Sequence, residues 1–64
     1  MGLREIAQSV VDASNATGND VSIEDERLID EYAGNALYRT LSEYVSIRRS
    51  LREAVIKIRI GEAA

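Results

Sequence analysis

A heptad-like apolar pattern between residues 37 and 60 is the feature that most constrains the fold of this chain. Large apolar side chains recur in alternating steps of four and three residues, and only Arg48 interrupts them. This spacing places them on one face of a helix, so the pattern predicts a helix that packs against another helix. The positions are Leu37, Leu41, Tyr44, Leu51, Val55 and Ile58.

A second row of apolar residues occupies much of the remaining circumference of the same predicted helix. It comprises Tyr38, Val45, Ile56 and Ile60, with Ile47 near its border. A helix of a lone globular domain needs one apolar stripe about 100° wide. The excess predicts that this helix packs against its own chain and also against copies of itself.

The size and composition of the chain limit how it can be stabilised. A fold of 64 residues buries only about 60% of its unfolded surface, and so small a domain usually depends on disulfides, a metal or oligomerisation. Cysteine and histidine are both absent, so a disulfide is impossible and a zinc site is not expected. Oligomerisation is the support that remains. The same absences, with a single lysine, argue against an enzyme, and no cofactor is expected.

Charge is distributed unevenly along the chain. Residues 20–43 carry two arginines against seven acids, whereas residues 44–64 carry five basic residues against two acids. An acidic middle and a basic end can attract each other between molecules stacked head to tail.

The order of elements predicts an all-α helical hairpin that assembles into a helical oligomer, with one domain over residues 1–64. A short amphipathic helix is expected over 3–13, a polar loop over 14–21, and a long helix over about 22–58 that begins near Ser22, with Asp25 as its capping partner. Gly34-Asn35 in this helix predicts a kink, a close packing point or a break giving three helices. The alternation over 56–60 resembles a strand, but the helical period running into it favours helix.

The basic residues near the carboxyl end have three interpretations, of which one, that they line a channel or meet an acidic neighbouring subunit, requires an assembly. Arg48, Arg49, Arg52, Lys57 and Arg59 could bind nucleic acid or a membrane surface. The acidic balance of the chain and the lack of a nucleic-acid motif favour ordinary helix charges that pair with neighbours such as Glu53. Nucleic-acid binding is therefore not expected. No apolar run is long enough to span a membrane, so membrane insertion is not expected either.

Three short motifs resemble the type III secretion needle-subunit family. They are Leu28-Ile29-Asp30-Glu31-Tyr32, Leu41-Ser42-Glu43-Tyr44 and Ala54-Val55-Ile56-Lys57. The segment 47–54 is similar to the carboxyl-terminal helix of flagellar rod and hook–basal-body proteins. The resemblance covers roughly residues 22–60. The loop has Gly18-Asn19-Asp20 where needle subunits typically carry prolines, and the chain is shorter than most of them.

The resemblance implies a self-polymerising subunit of a secretion needle, pilus or rod, exported by a dedicated apparatus to the cell surface. The seam residues Leu37, Leu41, Tyr44, Leu51, Val55 and Ile58 would be split between hairpin and subunit contacts. Candidate channel-facing or inter-subunit charges are Arg48, Arg52, Lys57 and Arg59. The partners implied are copies of the chain and an export chaperone. On this hypothesis Leu51→Asp would abolish assembly.

A second hypothesis explains the seam equally well without a filament. Two hairpins would form a small homodimeric helical bundle, acting as an adaptor, regulator or secretion chaperone. Nucleic-acid binding through the basic end ranks third.

Overall fold

The computed structural model describes residues 2–35 and 40–63, and these form three α-helices. Helix α1 spans Leu3–Ala16, α2 spans Val21–Gly34 and α3 spans Leu41–Ala63. Each helix packs against the other two, which makes the fold a three-helix bundle. The all-α class predicted from the sequence is therefore confirmed.

The predicted continuous helix over 22–58 is wrong, because this stretch contains two helices. Helix α2 ends at Gly34, and Asn35 leaves the helical conformation with a ψ of 18°. Helix α3 begins after Thr40, whose hydroxyl accepts a hydrogen bond from the backbone N–H of Glu43 (3.1 Å) and contacts its carboxylate (2.9 Å). A Thr three residues before a Glu is a helix-start signature, so the start of α3 has a local cause. Of the three possibilities at Gly34-Asn35, the break is the one observed.

The amino terminus of α2 is capped by Asp20 rather than by the predicted Ser22 and Asp25. The Asp20 carboxylate accepts hydrogen bonds from the backbone N–H (3.0 Å) and the hydroxyl (2.7 Å) of Ser22. A charged acceptor at this position satisfies a free backbone donor, and its negative charge interacts favourably with the positive end of the helix dipole. These bonds hold the pKa of Asp20 below its ordinary value.

The turn between α1 and α2 is shorter than the predicted 14–21 loop. Helix α1 extends to Ala16, and the Thr17 hydroxyl donates to the Ser14 carbonyl at 2.9 Å. Gly18 follows with a φ of 74°, a conformation that costs little only for glycine. The polar composition of 14–20 predicted this break correctly, but it did not fix where α1 ends.

The core is small and draws on all three helices. Its largest fully buried side chains include Val10 and Val11 from α1, Ile29 from α2 and Leu51 from α3. Helices α2 and α3 run antiparallel, since Asp25, near the start of α2, meets Arg59, near the end of α3. The molecule is 36 Å in its longest dimension, shorter than the roughly 54 Å of a straight helix over 22–58.

Residues 56–60 are helical, so the strand-like alternation there did not override the helical period of the preceding residues. No helix in the described ranges is both long and apolar enough to cross a membrane.

Candidate functional site: the outer face of α3

Helix α3 has two apolar faces with different environments. Its inner face is buried in the bundle, where Leu51 and Val55 expose only 1% and 2% of their surface. Ala54 and Ile58 pack partly buried against the same core. This face is the carboxyl-terminal part of the predicted seam, so the seam is occupied mainly by the chain's own α1 and α2.

The second face, which we call the outer face, is a strip of six residues along α3. Its positions follow steps of four, four, three, four and four residues, and at 100° per residue they fall within an arc of about 100°. Four are apolar and exposed, by 77%, 38%, 49% and 64% respectively: Leu41, Val45, Ile56 and Ile60. Arg49 and Arg52 lie at its centre. A soluble helix rarely repeats exposed large apolar residues at this spacing, so the outer face is the leading candidate for a contact surface.

The outer face adjoins a groove between α2 and α3. Ile29 and Val55 line this groove from the core, and Ile56 and Ile60 line it from the strip. The groove therefore continues the apolar surface of α3 towards α2. Glu26 of α2 also lines this groove. Ile23, one helical turn earlier and 65% exposed, adds a further apolar side chain beside it.

Three of the four cations predicted to face a channel or another subunit form ion pairs within the chain. Arg52 makes a two-point contact with Glu26 at 2.8 and 2.9 Å. Arg48 lies 3.8 Å from Asp30, and Arg59 pairs with Asp25 at 2.9 Å. The acidic middle and basic end thus attract each other inside one molecule, by folding α2 back along α3. Lys57 forms no ion pair among the described residues.

Arg59 joins all three helices at one end of the bundle. Its guanidinium donates two hydrogen bonds of 2.9 Å to Asp25 of α2, one of 2.6 Å to the Asn15 side chain of α1, and one of 3.3 Å to Glu62. The Asp25 and Arg59 side chains are only 12% and 23% exposed. A bidentate pair this shielded from water contributes more than a surface ion pair, so its role is to hold the bundle together.

The pH dependence of stability should report this pair. Burial raises the pKa of Asp25, but hydrogen bonds from Arg59 and Ser14, together with the charge of Arg59, lower it by more, so the folded-state pKa lies below the ordinary value. A carboxyl group whose pKa is lowered by folding stabilises the fold at pH values above its ordinary pKa. This contribution is lost as the pH falls through the folded-state pKa. We expect the urea concentration at the unfolding midpoint of the wild-type chain to decrease when the pH is lowered below about 4. Asp25→Asn should lose about 2 kcal/mol at pH 7 and show a shallower acid slope.

The control for this titration is Asp12→Asn, which removes an exposed carboxylate from α1. It should retain the wild-type stability at pH 7 and the wild-type acid slope. Equal acid slopes for wild-type and Asp25→Asn chains would contradict the assigned role of the pair.

Tyr44, which is half-buried, ties the start of α3 to α2. Its hydroxyl donates to the Asp30 carboxylate, and that bond raises the pKa of Tyr44. The guanidinium of Arg48 lies 5.5 Å from the centre of the Tyr44 ring. The ring is also within 3.6 Å of where a side chain at Gly34 would begin. These contacts join the first turn of α3 to the last turns of α2.

The predicted self-assembly residues therefore divide into three groups. Leu51, Val55 and Ile58 belong to the chain's own core, Tyr44 is half-buried, and Leu41 is exposed on the outer face. The assignment of Leu37 lies outside the described residues. Val45, Ile56 and Ile60 were not among the predicted interface residues, although the second apolar row that they belong to was the reason for expecting contacts between copies. The spacing of four within each pair, 41 with 45 and 56 with 60, was the available signal.

Comparison with known proteins gives no family assignment. No family model matches the chain, and no curated protein or solved structure is significantly similar to it. Within residues 2–35 and 40–63, no three acidic side chains are grouped closely enough to hold a metal ion.

Proposed function

We propose that this chain is a non-catalytic structural subunit that associates with copies of itself through the outer face of α3. The observation that carries the proposal is the exposure of Leu41, Val45, Ile56 and Ile60 along one strip of a helix whose opposite face already fills the core. The core of the bundle needs only the inner face. The outer face is the part of α3 that intramolecular packing leaves unexplained.

The expected strength of association follows from the area available. Fully burying a large aliphatic side chain contributes about 1.5–3 kcal/mol, and these four are about half exposed. Two copies would then gain on the order of 8 kcal/mol from eight side chains. Association costs at least about 4 kcal/mol in lost freedom of motion, which leaves about 4 kcal/mol and a dissociation constant of about 1 mM. Self-association should therefore be concentration-dependent and visible in a dilution series.

Sedimentation velocity across a concentration series, paired with negative-stain electron microscopy, tests the proposal. The sedimentation coefficient should rise with concentration and then level off at a small oligomer. A coefficient that stays at the monomer value at every concentration would contradict self-association. Electron microscopy then separates a closed oligomer from a filament.

A filament subunit of the type III secretion needle, pilus or rod kind is the second candidate function. An open filament needs two different complementary patches on each subunit. Leu3 of α1 and Tyr32 of α2, which are 41% and 42% exposed, lie outside the outer face and would supply part of a second patch. In this proposal the chain is exported to the cell surface by a dedicated apparatus, and a chaperone binds it before export. Long uniform filaments at high concentration would support this candidate, and a plateau at two to four chains would exclude it.

A further inference from the structure

The outer face of α3 has a two-fold character of its own. Its six positions are spaced symmetrically about a point between Ser50 and Leu51, with apolar residues at both ends and arginines in the middle. When a second α3 runs in the opposite direction across it, position 41 comes opposite position 60, and position 45 comes opposite position 56. The same register brings Arg49 opposite Arg52 of the second copy. The apolar ends of the strip are therefore complementary, whereas the arginines at its centre require acidic partners at the two edges.

We propose that two copies of this chain pair through α3 in that register, related by a two-fold axis that passes between residues 50 and 51. This inference rests on the proposed self-association and specifies its partner and geometry. Leu41 of each copy then packs against Ile60 of the second copy, and Val45 against Ile56. A two-fold contact uses the same patch on both molecules, which makes the pair closed.

Charge at one edge of the outer face agrees with this register. A two-fold axis across the pair brings each lateral edge of the strip against the same edge of the second copy, running in the opposite direction. The edge away from α2 carries Arg49 and Glu53, one helical turn apart and both exposed. Neither forms an ion pair within the described residues. In the antiparallel register Arg49 of each copy comes close to Glu53 of the other, so the pair is formed twice.

The edge of the strip nearer to α2 also allows the second copy to approach closely. Arg52 and Arg48 lie along it, and each is already paired with an acid of α2, Glu26 and Asp30 respectively. The second copy therefore meets neutralised pairs there instead of isolated cations. Paired charges at a rim contribute little affinity, but they fix register and orientation.

The spacing of the strip also indicates how the two helices cross. Its mean step is about 3.8 residues, slightly more than the 3.6 of a helical turn, so the strip winds slowly around α3. Two such strips align when the helices cross at an angle, as helices packed along rows of every fourth residue do. Contact is then closest near the two-fold axis and continues outward through Val45 and Ile56.

Cysteine cross-linking tests the register cleanly because the natural chain contains no cysteine. Val45→Cys and Ile56→Cys chains are oxidised alone and as an equimolar mixture, and the products are identified by intact mass. The mixed disulfide should form about tenfold faster than either homodisulfide, since only residues 45 and 56 of different copies approach each other. The chain carrying both substitutions should give a covalent dimer closed by two bonds.

The control and the contrary outcomes separate this inference from the proposal on which it rests. Ser46→Cys lies beside the outer face, and its mixture with Ile56→Cys should form no preferential disulfide. A ladder of higher oligomers from the doubly substituted chain would show an open assembly and overturn the closed pairing. Concentration-dependent sedimentation without the mixed disulfide would overturn the register alone. Monomeric sedimentation throughout would overturn both this register and the proposed self-association.

Discussion

Leu51→Ala is expected to lower the free energy of unfolding by about 3 kcal/mol, because it leaves a cavity in the centre of the bundle. Leu51 exposes only 1% of its surface and belongs to the core cluster formed by all three helices. A chain of this size has a total stability of about 3–10 kcal/mol, so this loss is large. Urea unfolding followed by circular dichroism at low protein concentration measures it.

Leu41→Ala is the matched control, because it makes the same chemical change on the same helix. Leu41 is 77% exposed, and its truncation should change the stability of the single chain by no more than about 0.5 kcal/mol. Equal losses for the two substitutions would contradict the division of α3 into inner and outer faces.

The burial of Leu51 also changes how a Leu51→Asp result is interpreted. That substitution would unfold the chain, so the loss of assembly expected from the sequence would not identify an interface.

Val45→Lys is expected to weaken self-association about 100-fold or more while the bundle stays folded, because the strip it enters already carries Arg49 and Arg52 at its centre. The symmetry of the proposed pair places this charge at the contact twice, and each unpaired buried polar group costs about 1–3 kcal/mol. A loss of 1.4 kcal/mol corresponds to a tenfold change in the dissociation constant. Sedimentation equilibrium at millimolar concentration should show the monomer mass for the variant where the wild-type chain associates, and circular dichroism verifies that the helices are retained.

Ser46→Lys is the control for this change. It adds the same charge in the same turn of α3, so its effect on the helix dipole is similar, but its side chain lies off the outer face. Its dissociation constant should stay close to that of the wild-type chain. A similar loss of affinity in both variants would point to a general effect of charge rather than to contact through Val45.

Helical periodicity was sufficient to predict the fold class and the helical state of residues 41–60. The apolar spacing there is strong enough that the strand-like alternation at Ile56 and Ile60 had no effect on the structure. The turn around Gly18 was also predictable, since a run of small and polar residues contains nothing to bury. These are local signals, and local signals survive in a bundle of three helices.

The break between α2 and α3 was harder to predict because both segments share the helical period. A glycine inside a helix costs only about 1 kcal/mol, which alone does not decide between a kink and a break. The chain gains more by folding back, since α2 then buries Leu28 and Ile29 and pairs its acids with the arginines of α3. The Thr40 and Glu43 pair was the local clue that a new helix begins there.

The choice between the two apolar faces of α3 could not be made from the sequence. Both rows have helical spacing and similar side chains, and which one is buried depends on where α1 and α2 pack. The Asp25–Arg59 contact has the same origin, because these residues lie 34 positions apart and no local pattern connects them. The candidate site therefore emerged only as the face that the other two helices leave uncovered.

Isotope-filtered NMR on a mixture of labelled and unlabelled chains tests pairing through the outer face of α3, because it detects only contacts between different copies. We expect intermolecular contacts from the methyl groups of Ile56 and Ile60 to those of Val45 and Leu41. Intermolecular contacts confined to the opposite side of α3, around Ser50 and Lys57, would contradict it. So would the absence of any intermolecular contact at millimolar concentration.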